Sequence, residues 1–259
     1  MTVSENIVPA MVLTILAGLS TGIGSAIAYL IRKPKIVYLS FSLGLSAGVM
    51  IYVSFMELLP GALHGVGEFW TILAFFSGIA VIGVIDMLIP SRENPHEYRG
   101  LDAPTAAQQD SYLMRAGMLT ALAIGIHNLP EGLATFATAL SDVRLGLFIA
   151  IAIALHNIPE GIAVSVPIFY ATLNRNKAFI YSFLSGLSEP AGAIIAYLVL
   201  LPFLTPAVLA ATLAFVAGVM IYISLDELLP MAHRYGHGHL VITGIILGML
   251  VLAVSLLAI

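Results

Sequence analysis

The phrase His127-Asn128-Leu129-Pro130-Glu131-Gly132 occurs a second time as His156-Asn157-Ile158-Pro159-Glu160-Gly161, and both copies are set in apolar sequence between Leu122 and Ile168. Each copy holds two ionisable residues and a proline. Ionisable groups in hydrocarbon are costly and rarely stand there without a partner or a role, so a doubled polar cluster marks a buried site. In a helix, His127 and Glu131 are four residues apart and share one face, as do His156 and Glu160. Asn128 and Asn157 add amide oxygens beside them. Pro130 cannot donate to the carbonyl of Ile126, nor Pro159 to that of Leu155, so a kink with an exposed carbonyl is expected in each helix. Irregular backbone at membrane depth is tolerated only where protein or a water-filled cavity satisfies it. Gly132 and Gly161 would let a neighbouring helix come close.

The surroundings decide the class. Of 259 residues, 60% are hydrophobic and only 9% charged, where a soluble domain carries about 25% charged residues; the mean hydropathy is +1.03. The chain reads as an all-α polytopic membrane protein, a single transmembrane domain over residues 1–259. The net charge of -4 comes with no basic patch and no nucleic-acid motif, so no nucleic-acid partner is expected. Cysteine is absent, which removes disulfides and thiolate ligands. Any metal site must therefore use His, carboxylate, amide or Met. Met1 to Asn6 carries no Lys or Arg, so the basic start of a cleaved signal is missing and the first apolar segment is expected to stay.

At about 20 apolar residues per span, eight helices are predicted at 6–31, 36–60, 70–90, 113–140, 143–170, 177–202, 204–230 and 239–259. Cytoplasmic loops carry the excess of Lys and Arg. Loops one, three, five and seven hold Arg32, Lys33, Lys35, Arg92, Arg99, Arg115, Arg175, Lys177 and Arg234, whereas the other three hold only Arg144. Both termini then lie outside. Residues 91–112 read as a flexible cytoplasmic loop, with His96 either a solvated histidine or a weak metal ligand.

A second repeat lies outside the first. Ala47-Gly-Val-Met-Ile-Tyr-Val-Ser-Phe-Met-Glu-Leu-Leu-Pro60 matches Ala217-Gly-Val-Met-Ile-Tyr-Ile-Ser-Leu-Asp-Glu-Leu-Leu-Pro230 at eleven of fourteen positions. The copies fall in helices two and seven, which run in opposite directions, and the His-Asn-x-Pro-Glu-Gly copies in helices four and five are opposed as well. One pseudo-twofold axis in the membrane plane accounts for both: it exchanges helices four and five, and helices 1–3 with 6–8. Such inverted repeats, with a polar site at their interface near the midplane, characterise secondary transporters.

Helix six adds Glu189, followed by Pro190. Glu131, Glu160 and Glu189 could not all stay ionised together in apolar surroundings without cations, since burial and like charge both disfavour the charged form. One or two divalent ions resolve that repulsion. Imidazole with carboxylate suits zinc, ferrous iron and manganese, whereas all-oxygen sites suit calcium or magnesium. Ligand type does not rank zinc above ferrous iron, manganese, cobalt or cadmium. Asp86, near the cytoplasmic end of helix three, is explained by snorkelling to the interface.

These motifs resemble the ZIP (Zrt/Irt-like) family of metal transporters, and within it the bacterial broad-range zinc uptake members, along nearly the whole chain. The resemblance implies a cell-membrane protein, in the inner membrane if bacterial, with a binuclear metal centre halfway across. Carried over by motif, His127, Glu131, His156 and Glu160 form a first metal position, with Met50 adding a thioether or serving only in packing. Asn128, Asn157 and Glu189 complete a second position that shares Glu131 and Glu160. The resemblance further implies a homodimer, and movement of helices one, four, five and six as a unit against two, three, seven and eight. The loop after helix three departs from the family in having a single histidine.

Outside the centre, Glu57, His64 and Glu68 near the outer end of helix two would attract cations at an entrance by their negative potential, or form a solvated rim. His233, His237 and His239, close to Asp226 and Glu227, form either an exit station or a solvated loop. No phosphate-binding Gly-rich loop is present, so transport into the cytoplasm without nucleotide hydrolysis is the leading reading. The alternative from another class is a membrane-embedded hydrolase that uses the same ligands to activate water. No resident cofactor is expected, only the transported divalent metal.

Overall fold

The computed structural model describes residues 3–30, 36–88, 106–200, 203, 205–234 and 237–257. His96 and most of the expected cytoplasmic loop lie outside the described residues. Among those described there is no strand. The helices are α1 (Val3–Leu30), α2 (Ile36–Val53), α3 (Leu59–Leu88), α4 (Ala106–Ser141), α5 (Val143–Thr172), α6 (Arg175–Gly186), α7 (Ser188–Ile195), α8 (Pro206–Ile223), α9 (Leu229–Arg234) and α10 (Gly238–Leu257). α4 begins within the expected loop, because Ala106, Ala107 and the two glutamines after them are good helix formers.

Short links follow from strong caps. Asp142 alone separates α4 from α5, and its side chain accepts from the backbone N–H groups of Arg144 and Leu145. Asn174 caps α6 in the same manner, and Thr205 caps α8, with Pro206 in its first turn. Pro130 and Pro159 do not interrupt the helical runs of α4 and α5.

A π-helical turn joins α2 to α3 at Ser54–Leu58, and its repeat mate joins α8 to α9 at Ser224–Leu228. Both have the same cause. Pro60 and Pro230 lack the N–H that would reach the carbonyl four residues back, so the preceding turn widens and the N–H of Leu59 or Leu229 bonds five residues back, to Ser54 or Ser224. In each copy the serine hydroxyl donates to the carbonyl one turn earlier, Ser54 to Met50 at 2.8 Å and Ser224 to Met220 at 2.7 Å.

The run from Ser40 to Met87 is 48 residues long, roughly 70 Å of helix against a hydrocarbon core of about 30 Å. It does not continue straight. Gly67 has φ 78 and ψ 171, a conformation open to glycine and closed to most other residues. Beyond it the chain reverses: the rings of Phe55 and Phe75, which an unbroken helix would hold about 30 Å apart, have centroids 6.4 Å apart. A break in the sixth apolar run falls at Leu187, between α6 and α7.

Burial is inverted relative to a soluble protein. Asn128, Glu131, His156, Asn157, Glu160 and Glu189 are all fully buried, while Phe69, Trp70, Phe76, Met87, Leu250 and Leu257 are exposed. Among the described residues, five helical runs are long and apolar enough to cross a membrane: Glu5–Ile27, Ser40–Met87, Val143–Thr172, Arg175–Val199 and Pro206–His233; Gly238–Val254 is a shorter apolar helix. The chain is a polytopic all-helical membrane protein.

Glycines sort the helices into two sets. In the first, a methyl group on Gly24 would overlap the carbonyl of Ile158, one on Gly161 that of Thr21, one on Gly132 that of Glu189, and one on Gly192 that of Leu129. These contacts join α1, α4, α5 and α6–α7. In the second, Gly78 meets the carbonyl of Phe215, Gly218 that of Phe75, Gly48 that of Ile245, and Gly248 that of Leu45, joining α2, α3, α8 and α10. Among the described glycines, no backbone approach of this kind runs from one set to the other. The sets meet through side chains instead, as where Ile82, Ile126, Leu129 and Phe215 line an apolar gap.

Gly161→Ala should therefore lower the thermal unfolding midpoint of purified protein, by an overpacking cost of about 1–3 kcal/mol. Gly61→Ala, where the added carbon meets only the Leu213 side chain at 3.6 Å, should leave it unchanged or raise it. Equal effects at the two positions would contradict the close-packed reading of α1 on α5.

Candidate metal centre

Four elements supply the buried polar residues. α4 carries Asn128 and Glu131, α5 carries His156, Asn157 and Glu160, α7 carries Glu189, and α2 carries Met50. The first turn of α7 suits a carboxylate, which the helix dipole favours at the N-terminus, and it tolerates Pro190, whose missing N–H has no helical acceptor to serve. Gly18 of α1 and Gly186 of α6 let these helices cross tightly beside that break. His127 lies on α4, but its side chain lies outside the described residues.

The pairing runs between helices. Nε2 of His156 lies 3.1 Å from Oε1 and 3.2 Å from Oε2 of Glu131 on α4. Sequence spacing put His156 with Glu160 on one face of α5, but the imidazole addresses the carboxylate of the adjacent helix. Glu160 is instead approached from α2, where the Ser46 hydroxyl donates to Oε1 at 3.2 Å. Asn157 bridges two further elements: its Nδ2 donates to Glu189 Oε2 at 2.7 Å and to the carbonyl of Ala17 on α1 at 3.1 Å. Asn128 Nδ2 donates to the Ser185 carbonyl of α6 at 3.4 Å.

Both amides commit their NH2 groups to these partners. Among the described residues, Asn128 Oδ1, Asn157 Oδ1 and Glu189 Oε1 are buried with no hydrogen-bond partner. All three are acceptors, and buried acceptors without donors are costly unless a cation or water meets them. Still, no group of three or more His, Asp or Glu side chains stands close enough to hold a metal ion among the described residues. The centre as described is a set of adjacent carboxylate, imidazole and amide pairs.

Met50 is fully buried, with its sulfur 3.9 Å from the Ser46 hydroxyl. The same serine hydroxyl lies 3.2 Å from Glu160 Oε1. Ser46 is the residue that reading by motif missed. It stands one turn before Met50 on the same face of α2, and it adjoins the repeated fourteen residues without being repeated, since Val216 holds the matching place.

The expected entrance and exit residues are not drawn into this centre. Glu57 is half-buried in the first π turn, Glu68 is exposed just after Gly67, and His64 is exposed with Nδ1 2.7 Å from the Pro60 carbonyl. Asp226 and Glu227 are half-buried in the second π turn, while His233, His237 and His239 are exposed. His233 Nδ1 lies 2.8 Å from the Leu229 carbonyl. Asp86 has a partner on α8, where the Tyr222 hydroxyl donates to its Oδ2 at 3.3 Å and also reaches Asp226.

Comparison with known proteins decides the family. The family model described as ZIP zinc transporter matches residues 90–256. The chain belongs to this family. Among relatives, the zinc transporter ZupT of Streptococcus mutans is 54% identical over 262 residues, covering 98% of each chain. That of Nitratidesulfovibrio vulgaris is 55% identical over 269 residues, covering 97% of each, and that of Clostridium perfringens is 53% identical over 275 residues, covering 98% of this chain and 96% of its own. ZIP proteins are transporters, so the membrane-embedded hydrolase is set aside.

Asn157→Leu should destabilise the fold, because it leaves the Glu189 carboxylate without the buried donor it has from Asn157, at about 1–3 kcal/mol; the Ala17 carbonyl keeps the Ser20 hydroxyl at 2.6 Å. Thermal unfolding of purified protein checks this, and an unchanged midpoint would contradict the bridging role of Asn157.

Proposed function

We propose that the chain carries divalent transition metal ions, zinc foremost and also ferrous iron, manganese, cobalt and cadmium, into the cytoplasm through a site near the membrane midplane. The relatives named as zinc transporters support this reading. The observation that carries it is that the acceptor oxygens Asn128 Oδ1, Asn157 Oδ1 and Glu189 Oε1 are buried without a hydrogen-bond partner on the helices that also carry the His156–Glu131 pair and their neighbour α7, in a chain without cysteine. Oxygen and imidazole ligands accept divalent first-row metals.

The topology is eight spans, with the single run through α2 and α3 divided within α3 at Gly67, and the pairs α6–α7 and α8–α9 each counted once. Both termini lie outside, from the distribution of Lys and Arg. An inverted repeat is supported by matched packing. Gly78 on Phe215 corresponds to Gly248 on Leu45, and Gly132 on Glu189 corresponds to Gly161 on Thr21.

His127, Glu131, His156 and Glu160 form one metal position. Asn128, Asn157 and Glu189 form the second, sharing Glu131 and Glu160, and Met50 adds its thioether to the first. Glu57, His64 and Glu68 collect cations at the outer mouth, while Asp226, Glu227, His233, His237 and His239 receive them on the cytoplasmic side. Two copies of the chain form a homodimer in the membrane. The set containing α1, α4, α5 and α6–α7 moves as a unit against the other, supported by the confinement of glycine contacts within each set.

Zinc uptake into proteoliposomes loaded with a fluorescent indicator tests the reading. The parent should show saturable uptake, and a His127→Ala, His156→Ala double variant should lose it. Glu160→Ala, which removes a ligand shared by both positions, should cost more than the roughly 10- to 100-fold typical of an outer-shell partner; Glu189→Ala should change rate or metal preference only. Absence of uptake by folded parent protein across several metals and pH gradients would overturn transport, and full activity of Glu160→Ala would overturn the shared ligand.

A further inference from the structure

Away from the metal centre, at the end of the first set where α5 turns into α6, an open surface depression of about 590 Å³ is lined by Tyr29, Phe169, Thr172, Leu173, Asn174, Arg175 and Asn176. Arg175 organises it. Its guanidinium carbon stands 5.8 Å from the ring centroid of Tyr29 on α1 and 5.7 Å from that of Phe169 on α5, so one cation lies against two aromatic faces from different helices. None of the lining residues is Asp or Glu, and among the described residues no carboxylate pairs with Arg175. A half-buried guanidinium packed on two aromatic rings, with no carboxylate partner among the described residues, suits an anionic ligand.

The backbone adds donors to that charge. Asn174 Oδ1 takes the N–H of Lys177 at 3.1 Å, while the N–H groups of Arg175 and Asn176, in the first helical turn, have no helical acceptor by position. Lys177 is exposed beside them, and the sequence beyond α1 carries Arg32, Lys33 and Lys35. Planar guanidinium, first-turn N–H groups and an exposed side-chain amide together match the oxygens of a phosphate. Tyr29, Phe169 and Tyr170 bring aromatic rings to this level, the residue type enriched where hydrocarbon meets headgroups.

We propose that this depression binds a phosphate group, and that the phosphate belongs to an anionic phospholipid of the cytoplasmic leaflet. The side of the membrane rests on the orientation given above. Basic pockets between transmembrane helices on that side suit anionic headgroups. Because Arg175 joins α1, α5 and α6, a lipid held there ties the inner end of the first helix set to the leaflet.

Purified full-length protein in nanodiscs of phosphatidylcholine, with rising fractions of phosphatidylglycerol, gives the test, read as thermal unfolding midpoint and as retained lipid by native mass spectrometry. The parent should retain phosphatidylglycerol and be stabilised by it. Arg175→Gln should need about fivefold more phosphatidylglycerol for half the effect, the change expected on loss of one cationic contact at the surface. Asn176→Asp, at an exposed position, should weaken retention in the same direction and serves if the first variant folds poorly. Equal lipid dependence in parent and both variants would overturn the site. Equal stabilisation of the parent by inorganic phosphate in neutral nanodiscs would overturn the lipid as its source. Zinc uptake in vesicles of phosphatidylcholine alone separates this from the transport reading, since uptake there should be the same for parent and Arg175→Gln; its loss in both would overturn transport while leaving the lipid titration intact.

Discussion

Three carboxylates, Glu131, Glu160 and Glu189, are held out of water in a chain built to sit in hydrocarbon, and each needs a donor or a cation at close range. The donors come from neighbouring helices: His156 for Glu131, Ser46 for Glu160, Asn157 for Glu189. Side chains this short reach across only when backbones nearly touch. Hence the glycines beside the site, where a methyl on Gly132 would strike the carbonyl of the carboxylate residue itself, Glu189. Packing and chemistry here are one requirement.

The two helix sets meet at the same place. The backbone approaches at the described glycines fall within each set, while α4 meets α3 and α8 through apolar side chains that leave a gap near Ile126 and Leu129. Interfaces without interlocked backbone resist sliding least. Ser46 reaches from the second set to Glu160 in the first, so any relative movement must break and remake that bond. The site is also less symmetric than its motifs. Glu189 of α7 stands over Gly132 as Thr21 of α1 stands over Gly161, so the matching position offers a hydroxyl in place of a third charge, and Ser46 is matched by Val216.

Much of this was legible in the chain. The doubled His-Asn-x-Pro-Glu-Gly phrase identified the helices that build the centre, because ionisable residues stand out against a sequence with so few of them. The fourteen-residue repeat signalled equivalent local structure, and the two π turns share one cause in Pro60 and Pro230. What spacing could not reveal lies between helices. Periodicity places His156 and Glu160 on one face, yet only the packing of α4 on α5 turns the imidazole toward Glu131. Ser46 resembles any small residue of a buried helix until α5 is set against it. The reversal between residues 60 and 70 was expected from span length, but its pivot at Gly67 was not, since one glycine of positive φ among many reads as ordinary composition.

X-ray absorption at the zinc edge on purified protein loaded with zinc, with the metal content measured, tests most directly whether these buried groups are the ligands. The predicted spectrum has a nitrogen and oxygen shell at about 2.0–2.2 Å with an imidazole signature, and a Glu131→Ala, Glu160→Ala variant that still folds should lose both the shell and the bound zinc. An unchanged shell and stoichiometry in that variant would contradict the account, because the metal would then be held elsewhere.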